Sequence, residues 1–269
     1  MCGLAGIIPA QRRRSQKELD QIKETFTRLL VLSEHRGPYA TGAASVRADG
    51  DINVLKRPVR ARDFVRLPAY QEWLETIGRD TTYLMGHTRW PTRGSVLNPD
   101  NNHPLVSDPR SEITVAVTHN GSLFEPDRHF RRLGLPRSAE VDSELLLRIA
   151  ERHANALGLD IDGFLSDIEQ LDGLMSAVLV VGSSPGEIIL LKGNRPLEVR
   201  YHPELEMIAY ASESEVLDSA LTLDGWQEIS LAHLEGLLIH AADDLLLERF
   251  KFRFGEPEWG HRSGRQSAV

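Results

Sequence analysis

The chain opens on a short apolar run, residues 2–8, stopped by Pro9 and the basic triplet Arg12, Arg13 and Arg14, which predicts a buried first strand. Ser15 followed by Glu18 has the spacing of a capping box, and Leu19, Ile22, Phe26, Leu29 and Leu30 recur at helical intervals. A long amphipathic helix is therefore expected, ending near His35 and Arg36 with Gly37 and Pro38 as stop signals. Residues 43–46 and 52–55 flank Asp49-Gly50, a pair suited to a tight hairpin turn. Strands are predicted over 83–88 and 113–118, joined by a long loop rich in Pro, Asn and Gly. Further strands are predicted over 174–181 and 187–191 around a turn at 182–186, then over 207–211, 226–231 and 237–239. Helical spacing covers 142–157, and a shorter helix is expected over 213–221. Two blocks of antiparallel strands with helices outside fit stacked sheets covered on both faces rather than a βαβ repeat. One domain over residues 2–250 is expected, with a polar C-terminal tail over 251–269.

Composition narrows the class. The 269 residues are 41% hydrophobic, enough for a buried core, and 21 Gly with 14 Pro exclude collagen-like and broadly disordered chains. A net charge of −8 argues against nucleic acid or an anionic membrane as partner, because a polyanion is repelled. No apolar stretch approaches the roughly 20 residues that span a bilayer, and no secretory signal precedes Cys2, so a cytoplasmic location is expected. The chain has one cysteine, Cys2, which rules out an internal disulfide framework.

Removal of Met1 would leave a thiol and a free α-amine on the same residue. An α-amino group titrates at about 7.7–8.0, so much of it is neutral near pH 7 and can take the thiol proton directly or through one water. The ordinary alternative is a small residue that permits Met1 removal and then begins a buried strand.

Four stretches decide between them: Met1-Cys2-Gly3-Leu4-Ala5-Gly6; Gly86-His87-Thr88-Arg89-Trp90-Pro91-Thr92-Arg93-Gly94; His119-Asn120-Gly121; and Val141-Asp142-Ser143-Glu144. In this order they resemble class II glutamine amidotransferases, the N-terminal-nucleophile glutaminases. Weaker likeness continues through Gly193-Asn194-Arg195-Pro196-Leu197 and Ala211-Ser212-Glu213-Ser214. The resemblance implies an α+β fold, a four-layer αββα sandwich of the N-terminal nucleophile hydrolase type, with no cofactor and no metal.

It also implies roles. Cys2 attacks the side-chain amide of L-glutamine to give a γ-glutamyl thioester and ammonia, and water then releases glutamate. Asn120 supplies a side-chain donor to the oxyanion and Gly121 a backbone N–H. Arg89 clamps the substrate α-carboxylate, Thr92 adds a hydroxyl contact, Asp142 receives the α-ammonium, and Trp90 lies in a loop that closes over the substrate. Taken singly, Arg89 reads as a surface ion pair, Trp90 as a core aromatic and Asp142 as a helix N-cap. Two departures from the pattern stand out: Tyr39 occupies an acidic position in Arg36-Gly37-Pro38-Tyr39-Ala40-Thr41-Gly42, and Arg93 replaces a histidine. No synthase region follows, so a separate ammonia-accepting synthase that orders the Trp90 loop is expected.

Other constellations compete. A stand-alone hydrolase of another γ-glutamyl compound and a non-catalytic glutamine-binding regulatory module share the recognition residues, although binding alone does not need Cys2, Asn120 and Gly121. Gly182-Ser183-Ser184-Pro185-Gly186 satisfies the G-x-S-x-G string of serine hydrolases, with Asp218 and His233 downstream. That string requires strand, sharp turn and helix, whereas a hairpin is predicted here. His87, His103 and His119 lack metal-ligand spacing, and His87 and His119 are expected to stiffen the hydrogen bonding of the pocket.

Overall fold

The computed structural model describes residues 1–108 and 110–255. Its strands form two main antiparallel sheets. The first has seven strands in the order Gln227–Ile229, Glu198–His202, Met207–Ala211, Gly3–Pro9, Thr81–Arg89, Ala40–Arg47 and Ile52–Arg57. The second has six, in the order Leu246–Lys251, Glu235–His240, Glu187–Lys192, Gly173–Val181, Val115–Leu123 and Leu105–Val106. Gly3–Pro9 is central and buried along its whole length, which is why it reads as an unbroken apolar run.

Side-chain alternation separates the layers. Leu4, Ile8, Tyr83 and Met85 of the first sheet pack between the sheets against Ala116, Val178, Val180 and Leu190 of the second. Their neighbours Ala5, Ile7 and Leu84 point the other way, onto Phe26, Leu29 and Leu30 of the helix Gln16–Leu32. On the far side Val115, Val117 and Leu179 meet Leu145, Leu146 and Ile149 of the helix Glu144–His153 and Phe164 of Ile161–Ile168. Helix, sheet, sheet and helix give the four-layer αββα sandwich. Phe26 is fully buried, and its truncation to Ala is expected to cost about 3–5 kcal/mol.

The first helix begins with the expected capping box: Ser15 Oγ accepts from the Glu18 N–H at 3.3 Å while Glu18 accepts from the Ser15 N–H at 2.8 Å. It ends at Leu32, earlier than expected, and one 3-10 turn, Ser33–Arg36, carries His35 and Arg36. Residues 142–157 are helical only over Glu144–His153, after which Ala154–Asn155 pairs with Gly158–Leu159. Residues 182–186 join two antiparallel strands, Gly173–Val181 and Glu187–Lys192, so the G-x-S-x-G string is a hairpin turn and lacks the helix a nucleophile elbow needs. Residues 251–255, assigned from sequence to the polar tail, pack instead: Phe252 and Phe254 are buried in the core of the second sheet. The rest of that tail, 256–269, lies outside the described residues.

Candidate active site

Cys2 sits at the mouth of the first sheet, immediately before its central strand. The backbone N–H of Trp90 donates to Cys2 Sγ at 3.4 Å, and the Trp90 carbonyl lies 3.6 Å from the same sulfur. The Cys2 carbonyl accepts from Arg36 Nε at 2.8 Å. With the Asn120 amide oriented so that both its ends are paired, Nδ2 donates to that carbonyl at 3.1 Å and Oδ1 accepts from Arg36 Nη2 at 3.2 Å. Burial pushes the Cys2 thiol above its ordinary value, against the lowering effects of the Trp90 N–H, the terminal ammonium and Arg89. Asp142 adds to the rise. At neutral pH this sulfur carries its proton, and any chemistry that uses the thiolate needs a base to remove it.

Asn120 and Gly121 lie in the strand Val115–Leu123, where Asn120 is opposite Ser176 and Gly121 opposite Met175. A Cβ at residue 121 would fall 1.7 Å from the Leu174 carbonyl oxygen, so only glycine allows this close pairing. Both flanking histidines tie the strand down, as expected. His87 Nε2 donates to the His119 carbonyl at 3.1 Å, linking the sheet that follows Cys2 to the strand of Asn120. His119 Nε2 donates to the Leu174 carbonyl at 3.1 Å, which leaves Nδ1 to accept from Ser143 Oγ at 2.8 Å. Burial depresses both imidazoles, His87 to about 3, and His103 stacks on His87 with ring centroids 4.2 Å apart.

Arg89 ends its strand and is 3% exposed, which excludes a surface ion pair. It donates to Asn102 Oδ1 at 2.7 Å, to the Arg93 carbonyl at 2.5 Å and to the Gly94 carbonyl at 3.0 Å, so three of its five N–H groups hold the loop that follows. Trp90, on that loop, is 43% exposed and is no core aromatic. Its ring meets Tyr39 edge-on at 5.2 Å. Asp142 does not cap the helix after it, where Ser143 is the N-cap residue; its carboxylate accepts from the Leu123 N–H at 2.6 Å. Cys2, Trp90 and Asn120 are thus joined by direct contacts, Gly121 follows Asn120 in its strand, and Arg89 and Asp142 lie near enough to act electrostatically on the thiol. Thr92 is exposed on the loop.

Arg36 and Glu213 belong to this cluster and were not among the sequence candidates, although both stand in the stretches singled out above. The Arg36 guanidinium is buried and pairs with the Glu213 carboxylate. Among the described residues no three His, Cys, Asp or Glu side chains converge as metal ligands, and no helix is long and apolar enough to cross a membrane.

Fold and relatives together define a class: the chain is related to the class II glutamine amidotransferases. No protein-family model matches it. Among curated proteins it is 25% identical over 202 residues to a glutamine–fructose-6-phosphate aminotransferase of Idiomarina loihiensis, covering 74% of this chain and 30% of that protein. The corresponding enzyme of Neisseria meningitidis serogroup A is 27% identical over 213 residues, 78% of this chain and 32% of its own length. The chain thus spans about a third of the length of these curated relatives. In fold it matches a glutamine phosphoribosylpyrophosphate amidotransferase from B. subtilis, with a TM-score of 0.70 at 18% identity, over 93% of this chain and 49% of that one. A glutamine aminotransferase class-II domain protein from Silicibacter pomeroyi matches with a TM-score of 0.55 at 14% identity, over 93% of this chain and 99% of its own.

Proposed function

We propose that residues 2–250 form a glutaminase that hydrolyses L-glutamine to glutamate and ammonia. The observation that carries this reading is the convergence on Cys2: a backbone N–H on its sulfur, and the Asn120 amide and Arg36 on its carbonyl. Met1 is exposed, and its removal would free the Cys2 amine beside the thiol. The amine takes the thiol proton as Sγ forms a bond to the side-chain carbonyl carbon of glutamine. The resulting oxyanion is met by the second Asn120 N–H and by the Gly121 N–H. Collapse breaks the C–N bond, the protonated amine returns its proton to the leaving nitrogen, and ammonia departs. Water, activated by the same amine, then cleaves the γ-glutamyl thioester.

Arg89 takes the α-carboxylate of glutamine and Asp142 its α-ammonium, while Trp90 and Thr92 belong to the loop that closes over the substrate. The relatives are named for transferring the glutamine nitrogen, so we assign the ammonia released here to an accepting synthase domain or subunit rather than to solvent.

The test is ammonia and glutamate release from L-glutamine by a preparation whose N-terminal mass is known, alone and with acceptor synthases present. Turnover is expected only from chains that have lost Met1, with an electrophilic glutamine analogue trapped on Cys2. Full activity from a chain permanently blocked at its N-terminus refutes the mechanism.

A further inference from the structure

Behind the Cys2 carbonyl lies a set of contacts reaching to the opposite end of the chain. Ser212 and Glu213 follow the strand Met207–Ala211, which pairs with Gly3–Pro9 so that Ala211 stands opposite Ala5. Ser212 extends that pairing with its side chain: the Leu4 N–H donates to Ser212 Oγ at 2.9 Å, and the Ser212 N–H donates to the Leu4 carbonyl at 3.0 Å. One residue later, the Glu213 carboxylate accepts from Arg36 Nη1, and its other oxygen pairs with His35 Nε2 at 2.6 Å.

We propose that Glu213 is a positioning residue for the nucleophile, holding Arg36 so that one guanidinium faces both the Cys2 carbonyl and Asn120. The inference rests on the glutaminase reading above and adds to it a residue more than 200 positions from Cys2. A guanidinium is a planar fork, so a single tilt moves Nε off Cys2 and Nη2 off Asn120 together. The Arg36 side chain is 3% exposed, and removing its carboxylate partner would leave a buried cation free to turn toward other acceptors. Burial raises the Glu213 carboxyl, but His35 and Arg36 outweigh it and hold the group below the usual carboxylate range. It is charged throughout the neutral range. Glu213 opens the helix Ser214–Ala220 directly after the strand beside the nucleophile, so its backbone is fixed from both sides.

The experiment compares Glu213→Gln, Glu213→Asp and Glu213→Ala in the full chain. For Glu213→Gln, kcat for glutamine is expected to fall about 10-fold or more, because small displacements of reacting groups cost this much. KM should change less than about threefold, since Arg89 and Asp142 hold the substrate head group elsewhere. Glu213→Asp should recover part of kcat. A second readout divides the rate at which Cys2 is labelled by an electrophilic glutamine analogue by its rate with iodoacetamide. The analogue needs the aligned Cys2–Asn120 pair and iodoacetamide needs only access, so misalignment lowers the ratio while unfolding speeds the iodoacetamide reaction. An unchanged ratio and kcat in Glu213→Gln and Glu213→Ala, or a loss matched by the fraction unfolded, overturns the inference and leaves the glutaminase reading standing. A wild-type chain, free of Met1, that neither releases ammonia nor takes the analogue overturns both.

Discussion

Replacing Asn120 by alanine separates chemistry from folding more cleanly than any other change at this site. The side chain is 1% exposed and makes two hydrogen bonds, to the Cys2 carbonyl at 3.1 Å and from Arg36 Nη2 at 3.2 Å. The Cys2 carbonyl keeps Arg36 Nε and the guanidinium keeps Glu213 through Nη1, so the loss is confined to the acceptor of Arg36 Nη2. The stability cost is therefore expected to stay within about 1–3 kcal/mol. In a domain of this size each kcal/mol lowers Tm by about 2–4 °C. The loss of an oxyanion donor is larger, about 2.7–4 kcal/mol, or roughly 100- to 1,000-fold in kcat. Asn120→Asp sharpens the comparison. Its carboxylate keeps the shape and gains charge pairing with Arg36, which offsets part of the lost bond to the Cys2 carbonyl, yet it offers no donor and repels a developing oxyanion. Steady-state ammonia release at saturating glutamine, measured well below the Tm of each variant, gives kcat directly. An Asn120→Asp protein that keeps kcat within about threefold of wild type, or an Asn120→Ala protein whose loss merely follows its unfolded fraction, refutes the oxyanion role.

Gly121→Ala places a methyl 1.7 Å from the Leu174 oxygen and forces two paired strands apart; thermal melting should show a loss of at least about 3 kcal/mol, with activity lost alongside. Arg89→Lys cannot reproduce a fan of three donors, so KM for glutamine should rise about 10-fold or more while limited proteolysis opens the loop after residue 89. Stability should fall as pH drops below 6.5, because the unfolded chain binds protons at His87, His103 and His119 whereas burial depresses all three in the native state, His87 to about 3. His87 alone could contribute up to about 5 kcal/mol at neutral pH, lost progressively between pH 6.5 and about 3. Urea unfolding at pH 7 and pH 4.5 checks the sign, and His103→Leu should flatten the slope.

Much of the sandwich was legible because its central strands are buried on both faces. Gly3–Pro9 and Gly173–Val181 announce themselves as apolar runs, and the helix packed on the first sheet shows its buried stripe and its cap. The helices Pro68–Glu75, Pro126–Leu133 and Ile161–Ile168 gave no comparable signal. Each is eight residues long and buries only two or three of them, too few for a helical period to emerge. The strand Leu246–Lys251 is an outer strand whose residues are all exposed or only partly buried, so it shows neither an apolar run nor a clean alternation. At the site, Cys2 was visible from its position as the single cysteine, whereas Asn120, Gly121, Arg89 and Trp90 were marked only by the resemblance of the stretches that hold them. Arg36 and Glu213 have no such mark. They matter through a contact between positions 177 residues apart, which the pairing of Gly3–Pro9 with Met207–Ala211 and the packing of the helix Ser214–Ala220 on Gln16–Leu32 bring together.

The same contacts bear on which group serves as the base. His87 and His119 flank the residues assigned to substrate binding and the oxyanion, and a histidine beside a cysteine is the usual way to activate a thiol. Here neither ring is poised on the sulfur, and His87, whose Nδ1 has no partner, is pushed down to about 3 by burial, too weak a base for a thiol. His87 donates from Nε2 to a backbone carbonyl, and His119 donates from Nε2 to another while accepting from Ser143 at Nδ1. Among the described residues neither ring hydrogen-bonds Cys2, whose sulfur meets only the backbone of Trp90. Asp142 is near, but its carboxylate is held by the Leu123 N–H, and its charge raises the thiol's proton affinity without reaching the sulfur. A thiol kept protonated by burial and without a side-chain base leaves its own amine as the group able to take the proton. Buried histidines that build the walls of the pocket thereby place the demand for a base on the N-terminus, which makes Met1 removal a chemical requirement of the proposed reaction.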